Sequence, residues 1–592
     1  MRSSNIFINV GVTGHRNIAP EHQTIVQRNI KEVLCLVHEE AETLHQKYPH
    51  FFDSVGAQKE FQYRLITSLA EGADCLAAQV ALSEGYSLQC PIPFRKSQYE
   101  STFEGGEVAV QHFRHLLGQA DSVMYLDFEE QDSSYAYKDA SRIMLAHSDI
   151  VLAIWDGTPS KYIAGTYATI KEAEQAHVPL IIINPEHPED VVYVLDSHEQ
   201  RNIAQAIKER LQHILLPQCK MPDLKIEDLG IPFPAKNEPR TTKQKIQLSA
   251  LFNKVLMVGS KKIKANTASS EDTHLTATAK GLAHQQWDET KKLYSTLSSL
   301  YSNIHRNRLF LQQVLPVLAL MLLIGALNTD GSLQVCLYIA QVCVLMWVIA
   351  LVHIDRHSAA NRLFYGYRGM AERCRIGTFL WSLGYGKVNN QHRSYMQGNN
   401  RSESTWYYRI LLRQMGLPSV TLGQEYARAW LQWLRKDYLQ SQFKYHFKRK
   451  ENSLRLQRRL RLMALIFFFG GLSATIGRAC AVTMEGSPAL IQIAAALALF
   501  LPTAASFWSA HSVNSGFAMH YAASTGMCAE LTAMMADVDC LLKEYETPNS
   551  ARTLAIFGIE RLFSLCDCID KCCMEEVADW EDSIQKRLLK LV

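Results

Sequence analysis

Short apolar runs alternate with helical patterns over roughly the first 190 residues. Six runs of aliphatic and β-branched residues have the length of strands, namely residues 6–12, 61–68, 87–93, 122–126, 150–155 and 180–184. Between them, apolar residues recur at helical spacing, as in the stretch from Pro20 through Val26, Ile30 and Leu34. This alternation is typical of parallel βαβ units. The pattern therefore predicts a Rossmann-like, doubly wound parallel sheet in residues 1–195.

Glycines and polar residues follow several of the predicted strands. In a doubly wound sheet, ligands bind beyond the carboxyl ends of the strands, where the strand order reverses. Glycine lets the backbone approach an anion, a helix N-terminus attracts negative charge, and arginine can donate two N–H groups to phosphate. The predicted ligand-binding residues are Gly11, Thr13, Gly14, His15, Arg16, Glu71, Gly72, Asp74, Asp156, Gly157, Gly165, Thr166 and Tyr167.

Several of these residues also have a structural interpretation. His15 can donate to a phosphate or be a hydrogen-bonded loop residue. Asp74 can bind a ribose hydroxyl, hold the loop backbone or cap the following helix. Tyr167 and Trp155 can stack on a base, although the position of Trp155 at a strand end favours the core.

Five segments resemble, in order, the motifs of the SLOG superfamily, the Rossmann-like group that includes the DprA and LOG proteins. The segments are GVTGHR (11–16), SLAEGADCLAAQVAL (68–82), PIPFRKSQYESTF (91–103), SDIVLAIWDG (148–157) and AGTYATIKEA (164–173). The resemblance implies a pocket for a nucleotide or a nucleotide-derived ligand. It places the phosphates at the loop around Gly14 and at the helix starts after Gly72 and Gly165.

The chain departs from the LOG-type phosphoribohydrolases at their catalytic position. Those enzymes carry a PGGxGT motif with a glutamate three residues after the threonine. Here Thr166 is followed by Tyr167, Ala168 and Thr169, and the first acidic residue is Glu172, one helical turn further on. The sequence therefore favours binding over hydrolysis and predicts no catalytic residue. The alternative is a membrane-anchored nucleotide or NAD hydrolase, for which the candidate groups are Glu71, Asp74, Asp156 and Glu172.

Residues 196–285 are predicted to be a connector. Five prolines interrupt this segment, and residues 261–274 are polar and lack a helical pattern. Such a composition indicates partial disorder. The apolar stripe of residues 286–307 then predicts a helix, which opens a unit of residues 286–385.

Long apolar runs dominate the second half of the chain. The runs are residues 309–327, 333–354, 462–482 and 488–510, and each can cross a hydrocarbon layer of roughly 30 Å. Short turns join them in pairs, which predicts two transmembrane hairpins. The turn of the first hairpin contains no Lys or Arg, whereas the segment between the hairpins is rich in both. This bias predicts that the segment and both termini are cytoplasmic.

Arg478 lies near the outer end of the third apolar run. It can line a water-filled pore, although an arginine at this depth more often extends to the headgroups. Small residues at 470–471 and 494–498 allow close helix contacts, within one chain or between copies of it. We therefore expect a homo-oligomer.

Two segments beside the hairpins resemble the SLATT family, a two-helix membrane domain found beside SLOG domains in bacterial conflict systems. They are YRGMAERCR (367–375) and the W…QxxYH run that begins at Trp433 and ends at His446. Helices of residues 386–461 and of the C-terminal part of 462–592 are predicted to form a cytoplasmic stalk. The family context implies an antiphage effector of the bacterial inner membrane, gated by an NAD-derived or cyclic oligonucleotide messenger. A ligand-independent membrane scaffold is a further alternative.

Composition adds few constraints. The net charge of +3 over 592 residues does not favour nucleic acid as a partner. Fourteen cysteines without a secretory signal indicate reduced thiols. Four of them lie near the C-terminus, namely Cys566, Cys568, Cys572 and Cys573. Their spacing fits no zinc finger, so no metal is predicted, and no cofactor other than the nucleotide ligand is predicted.

Overall fold

An α/β sheet is followed by a helical part in this computed structural model. The structure describes residues 6–54, 61–127, 133–195, 198–216, 274–357, 360–386, 403–545 and 559–573, with single residues at 254 and 575. Most of the predicted connector, including nearly all of the segment predicted to be disordered, lies outside the described residues.

The six predicted strands are confirmed. They are β1 (Phe7–Gly14), β2 (Gln62–Ile66), β3 (Ser87–Ile92), β4 (Ala120–Asp127), β5 (Ile150–Ile154) and β6 (Leu180–Ile183). All pairs among them are parallel, and their order is β6-β5-β1-β2-β3-β4. Because β1 lies between β2 and β5, the strand order reverses between β1 and β5, and the switch point lies there.

Three further strands were not predicted, and two of them, which pair in antiparallel orientation, make the sheet mixed. β7 (Val191–Leu195) and β8 (His198–Gln200) extend the β6 edge in antiparallel orientation. The helix α8 (Ile203–Leu215) follows and buries Ile207 and Leu211. The sheet and its supporting helices therefore continue past the predicted boundary at residue 195.

Helices cover the sheet because their apolar positions recur at three- and four-residue spacing. The longest, α1 (Pro20–Lys47), begins at a proline and buries Val26, Ile30, Val33 and Leu34. Each such side chain contributes about 1.5–3 kcal/mol when it leaves water. The other helices of this part are α2 (Pro49–Ser54), α3 (Ala73–Ser83), α4 (Lys96–Glu100), α5 (Gly106–Leu117), α6 (Ser133–His147) and α7 (Thr166–Gln175).

The helical part holds four helices that are long and apolar enough to cross a membrane. Its elements are α9 (His274–Leu327), α10 (Ser332–His357), α11 (Ala360–Ser382), α12 (Glu403–Met415), α13 (Gln424–Trp433), α14 (Gln440–Thr483), α15 (Pro488–Asn514), α16 (Phe517–Glu544) and α17 (559–573). A π-helical turn, Leu434–Leu439, joins α13 to α14. The apolar segments of α9, α10, α14 and α15 expose large side chains such as Trp347 and Ile493, each 60% accessible.

Close contacts join α9 to α10 and α14 to α15. The Gln312 side-chain amide of α9 donates to the Leu351 carbonyl of α10 over 3.3 Å. A Cβ atom at Gly471 of α14 would lie 2.7 Å from the Pro502 ring of α15. The small residue at 471 therefore permits a close approach, as the sequence predicts for this region.

The ninth strand comes from the segment between the two pairs of apolar helices. β9 (Thr421–Gly423) lies beside β4 in parallel, with Tyr125 opposite Thr421 and Asp127 opposite Gly423. The segment predicted as a separate cytoplasmic unit therefore completes the edge of the sheet.

A row of buried polar residues joins the sheet to the residues before β9. The Asp149 carboxylate lies 2.7 Å from the Arg413 guanidinium, and both side chains are at most 1% exposed. Arg64 of β2 donates to the Arg413 carbonyl over 2.6 Å. On the next strands, Gln89 accepts the Leu417 N–H, and Ser122 donates to the Leu417 carbonyl. These contacts satisfy polar groups that would otherwise be buried without partners.

Candidate functional site

The ends of β1 and β5 meet at the switch point. Gly14 lies opposite Ile154, and the His15 N–H donates to the Ile154 carbonyl over 3.1 Å. The His15 Nε2 atom lies 3.1 Å from the Asp156 carboxylate. Two of the predicted groups, around residues 14–16 and 156–157, are therefore adjacent in space.

Asp156 is held as an anion at this point. Partial burial raises its pKa, but hydrogen bonds from the Thr158 N–H and the contact with His15 outweigh burial and lower the pKa below its usual value. The site therefore combines a carboxylate, an imidazole and a nearby guanidinium, a set that can bind both phosphate and hydroxyl groups.

The Arg16 side chain is half-buried and turned toward α6. Its Nη2 donates to the Tyr137 hydroxyl over 2.8 Å, and its guanidinium lies 5.3 Å from the centre of that ring. Burial lowers the pKa of Arg16, but the contacts with Tyr137 outweigh it and the net pKa is raised, so the residue stays cationic. The Thr102 carbonyl lies at 3.4 Å. Sequence reasoning missed Tyr137 and Thr102, since neither belongs to a strand-end loop.

Three of the predicted glycines are packed against other parts of the chain. A Cβ atom at Gly11 would lie 2.2 Å from Ser148 Oγ, and one at Gly14 would lie 2.4 Å from the Ala73 methyl group. At Gly72, with φ of +87°, it would lie 1.9 Å from the Arg16 carbonyl oxygen. These residues are small because the chain crosses itself closely there.

The start of α3 holds the loop after β1. The Ala73 N–H donates to the His15 carbonyl over 3.0 Å. One of the first N–H groups of this helix is therefore used inside the protein.

Two other glycines have open space around them. Gly157 and Gly165 have φ of +86° and +104°, and no heavy atom lies within 4 Å of a Cβ built at either position. Gly165 directly precedes α7, at the helix start where the SLOG resemblance implies a phosphate. The loop between these glycines, together with the start of α7, therefore forms the open side of the predicted site.

Asp74 holds the loop between β2 and α3. Its carboxylate accepts from Thr67 Oγ1 at 3.0 Å and from the Ala70 N–H at 3.4 Å. Burial raises the pKa of this carboxyl to about 7, although these hydrogen bonds and Arg16 oppose the shift. Leu69 in the same loop has φ of +53°, a backbone conformation that the two bonds stabilise. These contacts correspond to the loop-holding interpretation of Asp74.

Glu71 accepts hydrogen bonds from the backbone at the start of a neighbouring helix. Its two carboxylate oxygens accept the N–H groups of Glu104 and Gly105, at 2.7 and 2.8 Å, just before α5. A carboxylate at this position satisfies free helix N–H groups and interacts favourably with the helix dipole.

The remaining predicted residues lie around the start of α7. Thr13 is buried in β1, and Thr166 is buried at the first position of α7. The Tyr167 ring stacks on Trp155, with centroids 5.8 Å apart and planes inclined by 30°. Trp155 is partly buried and packs against the hydrophobic core.

Glu172 belongs to an ion-pair cluster. It lies 3.2 Å from Arg142 and 3.8 Å from Lys138, both on α6, and Arg142 also lies 3.1 Å from Glu560 of α17. The first acidic residue after Thr166 therefore joins α7 to α6.

The candidate residues of the helical part lie apart from this site. Arg478 is exposed on α14. Cys566 and Cys572 are buried, Cys573 is half-buried and Cys568 is exposed; the Cys572 thiol donates to Glu530 over 2.9 Å. Within the described part of the chain, no cluster of three or more His, Cys, Asp or Glu residues is arranged to hold a metal ion.

No model of a known protein family matches this chain, and no curated protein matches it. The resemblances to the SLOG and SLATT families therefore rest on the sequence segments quoted above.

Proposed function

We propose that the protein is a membrane effector controlled by a nucleotide ligand. In this proposal the sheet binds the ligand, and two transmembrane hairpins of an oligomer respond by opening a pore or disrupting the bilayer. The observation that carries it is the direct connection between the two parts: β9 completes the sheet at Gly423, and Gln424 begins a helical stretch that runs to Thr483, through the third apolar segment.

The chemistry around the open side of the predicted site favours an anionic ligand. The start of α7 presents N–H groups at the positive end of a helix, beside the open glycines 157 and 165. His15 lies across the switch point, and Arg16 adds a positive charge at the side. Tyr167 and Trp155 add aromatic surface on which a base can stack. Phosphate groups with an attached base fit this combination, as in an NAD-derived or cyclic oligonucleotide messenger.

A π-helical turn lies between the sheet and the membrane segment. Such turns are rare in proteins and are frequently found at functional sites. The turn Leu434–Leu439 separates α13, which follows the sheet edge, from α14, which continues into the apolar segment. A ligand shifts the equilibrium between two arrangements of a protein only if it binds one arrangement more tightly than the other. A shift of β9 relative to β4 would change how α14 packs.

Charge bias supports the orientation of the membrane part. Following the positive-inside rule, the sheet, the stalk helices and both termini are cytoplasmic. The inner membrane of a bacterium follows from the family resemblance. An antiphage role, in which the infected cell loses its membrane potential, follows from the family resemblance alone.

Ligand binding by the full-length protein tests the proposal. Residues 1–195 alone would lack β9 and would leave Asp149 without Arg413, so the complete chain in detergent is the proper sample. Thermal shifts are measured with NAD, ADP-ribose, their cyclised forms and cyclic oligonucleotides. A bound ligand at a hundredfold excess over its Kd stabilises by about 2.7 kcal/mol. Arg16→Ala should abolish the shift, whereas Arg28→Ala, an exposed residue of α1, should preserve it.

Vesicle leakage with the active ligand completes the test. We expect the full-length protein to release an entrapped dye only when the ligand is present. Leakage that is equal without any ligand, or no thermal shift with any candidate, would contradict the proposal. A scaffold without a ligand would also show no effect of Arg16→Ala.

A further inference from the structure

The second pair of apolar helices carries a strongly positive segment at one end. α14 continues without a break from Gln440 to Thr483, and its apolar segment begins at Leu462. The preceding residues 448–461 contain seven Lys or Arg residues and one acidic residue, Glu451. This concentration of charge lies directly beside the apolar surface.

Part of this charge is engaged within the protein. The Arg449 guanidinium lies 2.9 Å from His520 Nδ1, the Lys450 ammonium lies over the Tyr521 ring, and Arg455 is 3.6 Å from Glu451. Three further cations of the segment are exposed, and none of them has a carboxylate within ion-pair distance in the described residues. They are Lys448, Arg458 and Arg461.

The first pair of apolar helices is different at its corresponding end. There Asp355, which is 9% exposed, lies 3.6 Å from His305 and 4.0 Å from Arg308. From residue 452 to residue 529, the only acidic residue in the sequence is Glu485, in the turn at the opposite end of the second pair. At the second pair, therefore, a single acidic residue, Glu451, lies among seven Lys or Arg residues.

We propose that Arg458 and Arg461 bind the phosphate groups of anionic phospholipids. This inference rests on the proposed function in one respect, that α14 enters a bilayer at Leu462. Arg461 adjoins Leu462, and Arg458 lies about 4.5 Å before Arg461 along the axis. Both lie within a headgroup layer of roughly 5–8 Å. A guanidinium can donate two N–H groups to one phosphate, which makes arginine the suitable cation there.

The apolar surroundings favour a lipid over a nucleic acid. Leu462, Leu465 and Ile466 are 57%, 53% and 56% exposed, within about one turn of Arg461. A bound nucleic acid would place its phosphates against this surface and leave the apolar side chains in water. A lipid molecule covers them with its acyl chains while its phosphate contacts the arginines.

Lys448 provides a matched control on the same helix. It is exposed and cationic, but lies about 20 Å before Leu462, beyond the headgroup layer. The full-length protein in neutral detergent is titrated with bicelles of phosphatidylcholine, with or without phosphatidylglycerol, and its melting temperature is recorded. No nucleotide is added in any sample, so the result does not depend on gating. Failure of the proposed function would instead appear as the absence of nucleotide-dependent leakage.

We expect phosphatidylglycerol to stabilise the wild type at lower lipid concentration than phosphatidylcholine does. In the double variant Arg458→Gln/Arg461→Gln, the phosphatidylglycerol concentration that gives half of the full stabilisation should rise about 25-fold. Each cation near an anionic surface contributes about fivefold to the affinity. Arg458→Lys/Arg461→Lys should restore part of the effect, and Lys448→Gln should match the wild type. An unchanged melting temperature in phosphatidylcholine shows that each variant is folded.

Several results would overturn the inference. Equal stabilisation by the two lipids would do so, as would an equal loss in Lys448→Gln and in the double variant. Stabilisation by soluble glycerol phosphate would indicate a site for free anions. A comparable effect of a short DNA duplex would indicate a nucleic-acid surface.

Discussion

The Arg142 guanidinium lies 3.1 Å from the Glu560 carboxylate and joins α6, a helix beside the sheet, to the C-terminal helix α17. The same guanidinium lies 3.2 Å from Glu172 on α7, the helix whose start faces the open glycine loop. On α17, the Cys572 thiol contacts Glu530 of α16. A continuous chain of contacts therefore leads from the candidate ligand site to the helix that follows the last apolar segment.

The first prediction concerns this contact. The Glu560 side chain is 49% exposed, and an exposed pair contributes roughly 0–1 kcal/mol, so Glu560→Gln should leave thermal stability nearly unchanged. If the pair holds α17 against α6 in the arrangement described here, its loss should raise dye leakage without ligand, by at most about fivefold. The control is Glu575→Gln, which removes a partner of Lys571 within the same helical region. Equal leakage in the two variants would refute a role of the Arg142 contact in coupling.

The second prediction tests the packed glycine at the candidate site. Gly72→Ala places a methyl group 1.9 Å from the Arg16 carbonyl oxygen, in addition to the cost of a positive φ. Gly85→Ala has the same sign of φ, +81°, but open space around the new methyl group. We expect Gly85→Ala to destabilise by about 1–2 kcal/mol and Gly72→Ala by clearly more. Thermal unfolding of the full-length variants in detergent measures the difference. If both lose the same stability, the close contact with Arg16 is not a significant constraint.

The strands that could be predicted from the sequence are those that parallel packing buries on both faces. Such strands are continuous apolar runs, and all six were visible as such. β9 has three residues, Thr421–Gly423, too few to produce a pattern. A signal for its neighbourhood was nevertheless present. Arg64 and Gln89 interrupt apolar strands, and a buried polar side chain needs a partner. The sequence could not indicate that the partners lie more than 300 residues away, since that depends on the tertiary fold.

The candidate site could likewise be predicted from the sequence only in part. Strand order places residues 14–16 beside 156–157, and topology alone predicts this juxtaposition. Whether a glycine is packed or open depends on which distant atoms approach it. Gly14 and Gly72 are closed by Ala73 and Arg16, whereas Gly165 is open, and the sequence does not distinguish them.

The third prediction follows from the pKa of Asp74. Its folded-state value of about 7 lies above the usual value of 3.8, so between these pH values the folded protein binds more protons than the unfolded chain. This group therefore lowers stability as the pH rises from about 4 to 7, and the loss is complete above pH 7. Asp74→Asn removes the carboxyl group but can still accept from Thr67. We expect the variant to show a weaker decline in melting temperature between pH 5 and 8 than the wild type. Identical pH profiles would argue against a raised pKa.

The fourth prediction concerns the buried ion pair that attaches the sheet to the helical part. Asp149→Asn keeps an oxygen that can accept the Asn9 N–H but leaves the Arg413 guanidinium, 1% exposed, without its counter-charge. Removing one partner of such a pair costs about 3–5 kcal/mol. The comparison is Glu32→Gln, in the Arg28–Glu32 pair, where the side chains are 67% and 65% exposed and the expected loss is within 1 kcal/mol.

Because Arg413 directly precedes the segment that leads to β9, the loss at Asp149 should also separate the sheet from the apolar helices. Limited proteolysis between residues 415 and 424 should become faster in Asp149→Asn and remain unchanged in Glu32→Gln. A variant that is destabilised without faster cleavage there would show that the pair supports the sheet alone. Faster cleavage together with a lower melting temperature would identify the pair as the attachment of the sheet to the membrane part.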